Sequence, residues 1–391
     1  HRYLDATSSG WLAPSGHCIP RINAAIHDQL GKIEHLMLAG CTHEPAVELA
    51  ERLSRRAEGL SHCFFASDGA SAVEIALKMS FHYWVNVGRP QKNRFISLEN
   101  SYHGETMGAL SVGDTALFKN IYALLLRPSA QLPTPDWRRA EDGESAENYA
   151  ERCAAALAEY LERHHADTAA LIVEPLVQGA AGMAMHAPLY LKRAREICDL
   201  FGVHLIADEI AVGFGRSGTF FACEQAAVRP DFMCLSKGIS GGYLPLSVVL
   251  TQNHIYQAFY DASLTRGFLH SHSYSGNPLA CRAALATLDI FEADDVINAN
   301  RRLAAHMRHA CEKLADLPGV ENLRQTGMIV AFDVTDAQPQ FGATFSAAAS
   351  KRGVLLRPIG NSVYFMPPYV IGEDEIDFLV AATMAALEAA R

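Results

Sequence analysis

Short apolar runs recur along the first two thirds of the chain: CFFAS, RFISLE, ALIVEP, VHLIADE, DFMCLSKG and PLSVVLT. Amphipathic stretches such as SAVEIALKMSFHYW and LYLKRAREICDLFG lie between them. Runs this short, with helical periodicity in the intervals, leave few folds open. They predict an α/β domain with a mostly parallel sheet covered by helices on both faces. Ligands in such sheets collect beyond the carboxyl ends of the strands, so motifs far apart in sequence are expected to converge there.

After about residue 293 the texture changes. A long Ala/Arg/Leu-rich stretch, INANRRLAAHMRHACEKLADL, is followed by strand candidates MIVAFDV, GVLLRP and SVYFMPP, and then by a helical EDEIDFLVAATMAALEAA. This divides the chain into a large α/β domain over 33–293 and a smaller α+β domain built from 1–32 and 294–391. The polar, Pro-rich PSAQLPTPDWRRAEDGESAEN is expected to be a surface excursion of the large domain. No repeat or low-complexity tract interrupts the pattern.

Composition narrows the function classes. A net charge of −10 with no basic stripe argues against nucleic acid or anionic membrane as the main partner. Nine cysteines without a C-x-x-C pair read as reduced thiols, and not as a disulfide framework or zinc site. No segment approaches the roughly 18 uninterrupted apolar residues of a membrane span, and no signal peptide opens the chain, which points to the cytoplasm. The abrupt start, HRYLDATSSGW, suggests either that a leading segment is missing or that His1 is a residue left over from expression.

Lys237 follows the apolar DFMCL, beside glycines, and Asp208 ends VHLIAD. A lysine leaving a buried strand together with a strand-ending carboxylate suits pyridoxal 5′-phosphate (PLP): the amine binds the aldehyde, and the carboxylate keeps the pyridine nitrogen protonated. Either residue alone is more often a solvated charge or a cap. Asp68, Gly69, Ala70 and Ser71 lie between a strand and a helix, where free N–H groups form a phosphate cradle, or Asp68 and Ser71 only a cap. Tyr102 or His103, in NSYHGET, suits a ring stacked on the pyridine, with a structural tyrosine as the plain alternative. The loop GFLHSHSYSGNPLAC offers small hydroxyl and N–H donors that suit phosphate better than metal, since no H-x-x-x-H pair is present. GFGRSG lacks dinucleotide-fingerprint spacing and reads as a turn aiming Arg216 at the site or at a neighbouring subunit. Arg357 ends an apolar strand, where a buried guanidinium would need a substrate carboxylate or a structural partner.

With these residues assembled, the chain resembles the class III, or ω-, aminotransferases of the aspartate-aminotransferase-like fold type I. The resemblance runs from SSGW to the terminal helix and is most specific in LIADEIAVGFGRSGTFFACE and PDFMCLSKGISGG. It implies that Lys237 is the Schiff-base lysine and proton shuttle, that Asp208 pairs with the pyridinium, and that Gly69 and Ala70 bind the phosphate. Tyr102 would stack on the cofactor and line the substrate pocket. His272 and Ser273 would reach the phosphate of a partner subunit's cofactor, making the active site that of a homodimer. Trp11 and Ser271 would border the substrate, and Arg357 would hold its carboxylate. No resident metal is implied.

Within the family, ATSSGW, YHGET, EPLVQGAAGM, FLHSHSYSGNPLAC and LLRPIGNSVYFMPPY favour amination of 8-amino-7-oxononanoate, with S-adenosylmethionine as donor, in biotin synthesis. The alternative is another ω-aminotransferase, using a diamine, ornithine, 4-aminobutyrate or β-alanine with a 2-oxo acid. Many members carry two adjacent tryptophans where this chain has Gly10 and Trp11, an aspartate at Glu105 and a threonine at Ser273.

Overall fold

The structure, a computed structural model, describes residues 2–390; His1, on which the expectation of a preceding segment turns, lies outside them. In chain order the strands are β1 (Leu4–Asp5), β2 (His62–Ala66), β3 (Arg94–Leu98), β4 (Ala130–Leu132), β5 (Thr168–Val173), β6 (Val177–Gln178) and β7 (Ala184–Met185). They continue with β8 (His204–Asp208), β9 (Phe232–Leu235), β10 (Ser247–Thr251), β11 (Val320–Thr326), β12 (Ile329–Val334), β13 (Val354–Leu355) and β14 (Ser362–Phe365).

A seven-stranded sheet has the order β2-β10-β9-β8-β5-β3-β4. Its pairs are parallel except around β10, which runs antiparallel to both neighbours. The mostly parallel sheet expected from the apolar runs is therefore present. Its central strands β5, β8 and β9 are buried along their whole length, which is why they read as continuous apolar runs. Alternate residues feed the two faces. Leu171, Leu205, Met233 and Leu250 pack with Leu49, Leu157 and Leu191 from helices 44–56, 146–164 and 188–201. Ala170, Ile206, Phe232 and Val249 face Val73, Ile75 and Ala76 of helix 69–86.

The Pro-rich stretch after residue 127 corrects one expectation. It supplies the edge strand β4, and its Thr134 and Asp136 are buried, so it is part of the domain wall and not a surface excursion alone. A second, three-stranded antiparallel sheet, β11-β12-β14, is covered by helices 296–315, 341–351 and 373–390 around Met307, Phe332, Phe345 and Leu379. The N-terminal β1 pairs in parallel with β13, whereas Ile22 of helix 20–30 packs on Ala283, Ala286 and Ile290 of helix 278–293. Among the described residues, no helix is long and apolar enough to cross a membrane.

Candidate active site

Because β2 and β9 run parallel with β8, β5 and β3, all five carboxyl ends open on one edge of the sheet. Each end delivers chemistry-bearing residues to a cavity of ≈ 590 Å³: Ser67–Ala70 after β2, Tyr102 and His103 after β3, Glu174 after β5, Asp208 on β8, and Lys237 after β9.

Asp68 caps helix 69–86, its carboxylate accepting from Ser71 N (2.9 Å) and Ser71 Oγ (3.0 Å). The cap reading thus describes Asp68, with Ser71 as the residue that donates to it. Gly69 and Ala70 occupy the first helical turn, where backbone N–H groups have no intrahelical acceptor and an anion is favoured. A Cβ at Gly69 would come within 3.2 Å of the Ile210 side chain, so the first turn sits close against the end of β8.

Asp208 is buried and pairs with His103, with Oδ2 2.7 Å from Nδ1, while its Oδ1 accepts from Ile210 N at 3.1 Å. The other nitrogen of His103, Nε2, is buried without a partner. Lys237 leaves β9 with φ +46°, and its Nζ lies 4.6 Å from the centre of the Trp11 ring. Burial lowers its pKa, against the opposing pull of Asp208 and Glu174, which raises the fraction of neutral, nucleophilic amine.

Glu174 was missed at the sequence level, although the end of ALIVE presents a strand-ending carboxylate just as VHLIAD does. It is buried, accepts from Tyr102 N (3.1 Å) and Gly179 N (3.0 Å), and burial pushes its pKa up to about 7. Tyr102 gives its hydroxyl to Glu105 Oε1 at 3.1 Å, and burial, then Glu105, pushes the phenol up to about 12. Its ring tilts against Phe118, 5.5 Å between centres. Trp11 donates through Nε1 to the Tyr364 hydroxyl at 3.1 Å.

Four expected residues lie outside the cavity lining. Ser271 and Ser273 are exposed, and half-buried His272 approaches from the loop, with Nδ1 3.3 Å from the Oγ of the lining residue Ser67. Arg357 is exposed, contrary to the expected buried guanidinium, since β13 ends at Leu355 and after it Leu356 turns into the core while Arg357 points outward. It does lie close enough to Tyr364 to favour the charged phenol. Arg216 is also corrected: it is 2% exposed and faces inward, donating to Pro367 O and Ser8 Oγ instead of to the cavity. Among the described residues, no group of three or more His, Cys, Asp or Glu could hold a metal.

The cavity offers first-turn N–H groups for a phosphate, a buried carboxylate for a ring nitrogen and an amine for an aldehyde, each at a different strand end. That donor set fits PLP.

Residues 1–387 match the family "Aminotransferase class-III". The chain is 42% identical over 396 residues to adenosylmethionine-8-amino-7-oxononanoate aminotransferase of Helicobacter pylori, covering 100% of this chain and 88% of that one. The crystal structure of the enzyme of that name from Methanocaldococcus jannaschii matches with TM-score 0.92 at 34% identity, over 99% of this chain and 89% of the other. A PLP-bound amine transaminase from an uncultivated Pseudomonas species matches with TM-score 0.94 at 34% identity, over 99% and 90%. Fold, donor set and likeness agree: the chain belongs to the PLP-dependent class III aminotransferases.

Proposed function

We propose that the protein aminates 8-amino-7-oxononanoate to 7,8-diaminononanoate, with S-adenosylmethionine as amino donor, in biotin synthesis. The observation that carries the chemistry is the meeting of Lys237, Asp208 and the first turn at Gly69 and Ala70 around one cavity. Relatives bearing the corresponding enzyme name support the substrate pair. The wall formed by Leu12, Val212, Leu244, Pro245 and Leu246 suits a long aliphatic chain.

In this reading Gly69 and Ala70 hold the phosphate, Asp208 the pyridine nitrogen and Lys237 the aldehyde carbon. The bound cofactor supplies an electron sink that lets a proton leave the carbon carrying the amine. Once an incoming amine displaces it from the aldehyde carbon, Lys237 Nζ would be free to take that proton and to return it to the carbon on the other side of the transferred nitrogen, and its lowered pKa suits both transfers. His103 orients the Asp208 carboxylate through its 2.7 Å contact. Tyr102 covers the ring, Trp11 and Ser271 border the substrate, and the exposed Arg357 takes its carboxylate.

The same reading makes the protein a cytoplasmic homodimer in which His272 and Ser273 serve the partner subunit's site. Support comes from the exposed Ser273 and from an exposed apolar face at Leu117 (83%), Ile121 (82%), Leu124 (101%) and Leu125 (70%), more than a lone subunit would leave in water. The free cysteines, two of them exposed, suit a reducing compartment. It also divides the chain into bodies 33–293 and 1–32 with 294–391, and the β1–β13 pairing supports the second of these.

The test is the visible absorbance of the PLP-loaded protein before and after S-adenosylmethionine, with lysine and 4-aminobutyrate in parallel. Loss of the yellow band with S-adenosylmethionine supports the proposal. Loss only with another amine moves the protein to a different class III activity. Light scattering at a mass of one chain would overturn the dimer.

A further inference from the structure

The segment that carries Trp11 has an unusual backbone. Ser8, Ser9, Gly10 and Trp11 have φ of 50°, 50°, 82° and 73°, a left-handed turn of which only one residue is a glycine. Such a turn persists only where its surroundings over-determine it. Three backbone bonds close it, Trp11 N to Thr7 O at 2.9 Å and Leu12 N and Ala13 N to Ser8 O at 3.0 and 3.1 Å. Asp5 holds its outer side through Thr7 N (3.0 Å) and Ser9 Oγ (2.7 Å).

The inner side rests on Arg216. Ser8 is 0% exposed, and its Oγ accepts from Arg216 Nη2 at 2.6 Å while donating to Met366 O at 2.8 Å. Arg216 Nη1 donates to Pro367 O at 2.5 Å, and the guanidinium stacks 4.6 Å from the centre of the Tyr369 ring. A buried cation whose hydrogen bonds go to neutral oxygens is an expensive way to fill space. What it gains is a planar fork that fixes two directions at once, which a lysine lacks. The fork joins the loop after β8, the end of β14 and the turn. On the far side of that turn the Trp11 ring packs on Gly179, where a Cβ would come within 3.0 Å of it, and lies over Lys237 Nζ.

We propose that Arg216 is a positioning residue: by holding Ser8 in the left-handed turn it sets the Trp11 ring over the Lys237 amine. The proposal rests on the reading of Lys237 and Trp11 as parts of the reaction site.

The test uses protein labelled with 5-fluorotryptophan, whose three residues, Trp11, Trp84 and Trp137, give separate fluorine resonances, with Trp11 assigned from W11F. In cofactor-free protein, R216M and S8A should shift or broaden the Trp11 resonance while Trp84 and Trp137 stay in place. R216K, with one point charge for two acceptors, should fall between. In the loaded enzyme, kcat of R216M should fall at least tenfold, since displacement of a positioning group by about an ångström carries losses of that order. An unmoved Trp11 resonance in both R216M and S8A overturns the proposal. So does movement of all three resonances in S8A, which removes only a hydroxyl, because that result makes the contact a general support of the fold. A fully active W11F instead overturns the reading of Trp11 as a site residue and leaves the resonance comparison of Arg216 standing.

Discussion

Burial sets the titration of His204, which begins β8 behind the site. Its ring stacks on Trp84 at 4.5 Å, its Nδ1 meets Ser80 Oγ at 2.8 Å, and burial lowers its pKa to about 4. Between that value and the ordinary 6.5 of an unfolded histidine, the unfolded chain binds a proton that the folded chain refuses. The stability contribution is therefore present above pH 6.5 and is lost as pH falls toward 4. Urea titrations of the wild type and H204F at pH 6.5 and 5 should show the wild type losing about 2 kcal/mol more than the variant. A second residue-scale outcome concerns His103. H103F deprives the buried Asp208 of its 2.7 Å partner, so PLP affinity measured by fluorescence titration should fall about ten- to hundredfold, the equivalent of one lost buried bond. Lys237 and Asp208 were legible because a charged residue closing an apolar run is conspicuous. Glu174 carries the same mark, but nothing in EPLVQG announces that it holds the backbone N–H groups of two separate segments, Tyr102 N and Gly179 N. The inward turn of Arg216 was not legible at all: it depends on Ser8 and Pro367, which only the tertiary fold brings near.

At the scale of elements, the first turn of helix 69–86 and the segment after β3 support each other. Gly104 has φ +120°, which L side chains rarely adopt, and a Cβ there would lie 2.6 Å from Ala70 Cβ. Glu74, one turn further along the helix, accepts from Thr106 Oγ1 (2.6 Å), Gly108 N (2.6 Å) and Ala109 N (3.2 Å) and so anchors helix 107–112. G104A should push the phosphate cradle aside. Its PLP dissociation constant should rise about tenfold or more, as expected for strain and displacement of about 1–3 kcal/mol, with a lower melting temperature of the cofactor-free protein. The strands read correctly from sequence were those that carry an apolar run, from the fully buried β5, β8 and β9 to the partly buried β2 and β3. β4 escaped because it is three residues long and followed at once by Pro133, and β11 because only Val320 and Arg324 in it are buried and it has no apolar run. For such strands the partner strand, and not the local sequence, decides the conformation.

For the whole molecule, a buried charge cluster joins the two sheets. Asp333 of β12 accepts from Arg324 Nη2 (2.9 Å), Ser362 Oγ (2.6 Å) and Arg138 Nη1 (3.1 Å), and Arg138 in turn reaches Asp136 and Ala181 O. Arg324 continues to Met183 O and Gly182 O, so the hairpin after β5 is tied to the small sheet. D333N leaves the buried guanidinium of Arg324 and the half-buried one of Arg138 short of charge, and chemical denaturation should show a loss of about 3–5 kcal/mol. The alternation of strands and helices foretold the large sheet and its functional edge. It could not foretell this junction, which is made by residues from 136 to 362 with no local signature. The single reversed strand, β10, has a further effect. It stands between β2 and β9 and so separates the proposed phosphate cradle from the lysine by two strand spacings, about 9–10 Å. That gap is set by backbone hydrogen bonding, as a ruler is set by its graduations. Loops around the edge can lengthen, shorten or change composition to admit different amines, and the two ends of the cofactor would still find their anchors at the same interval.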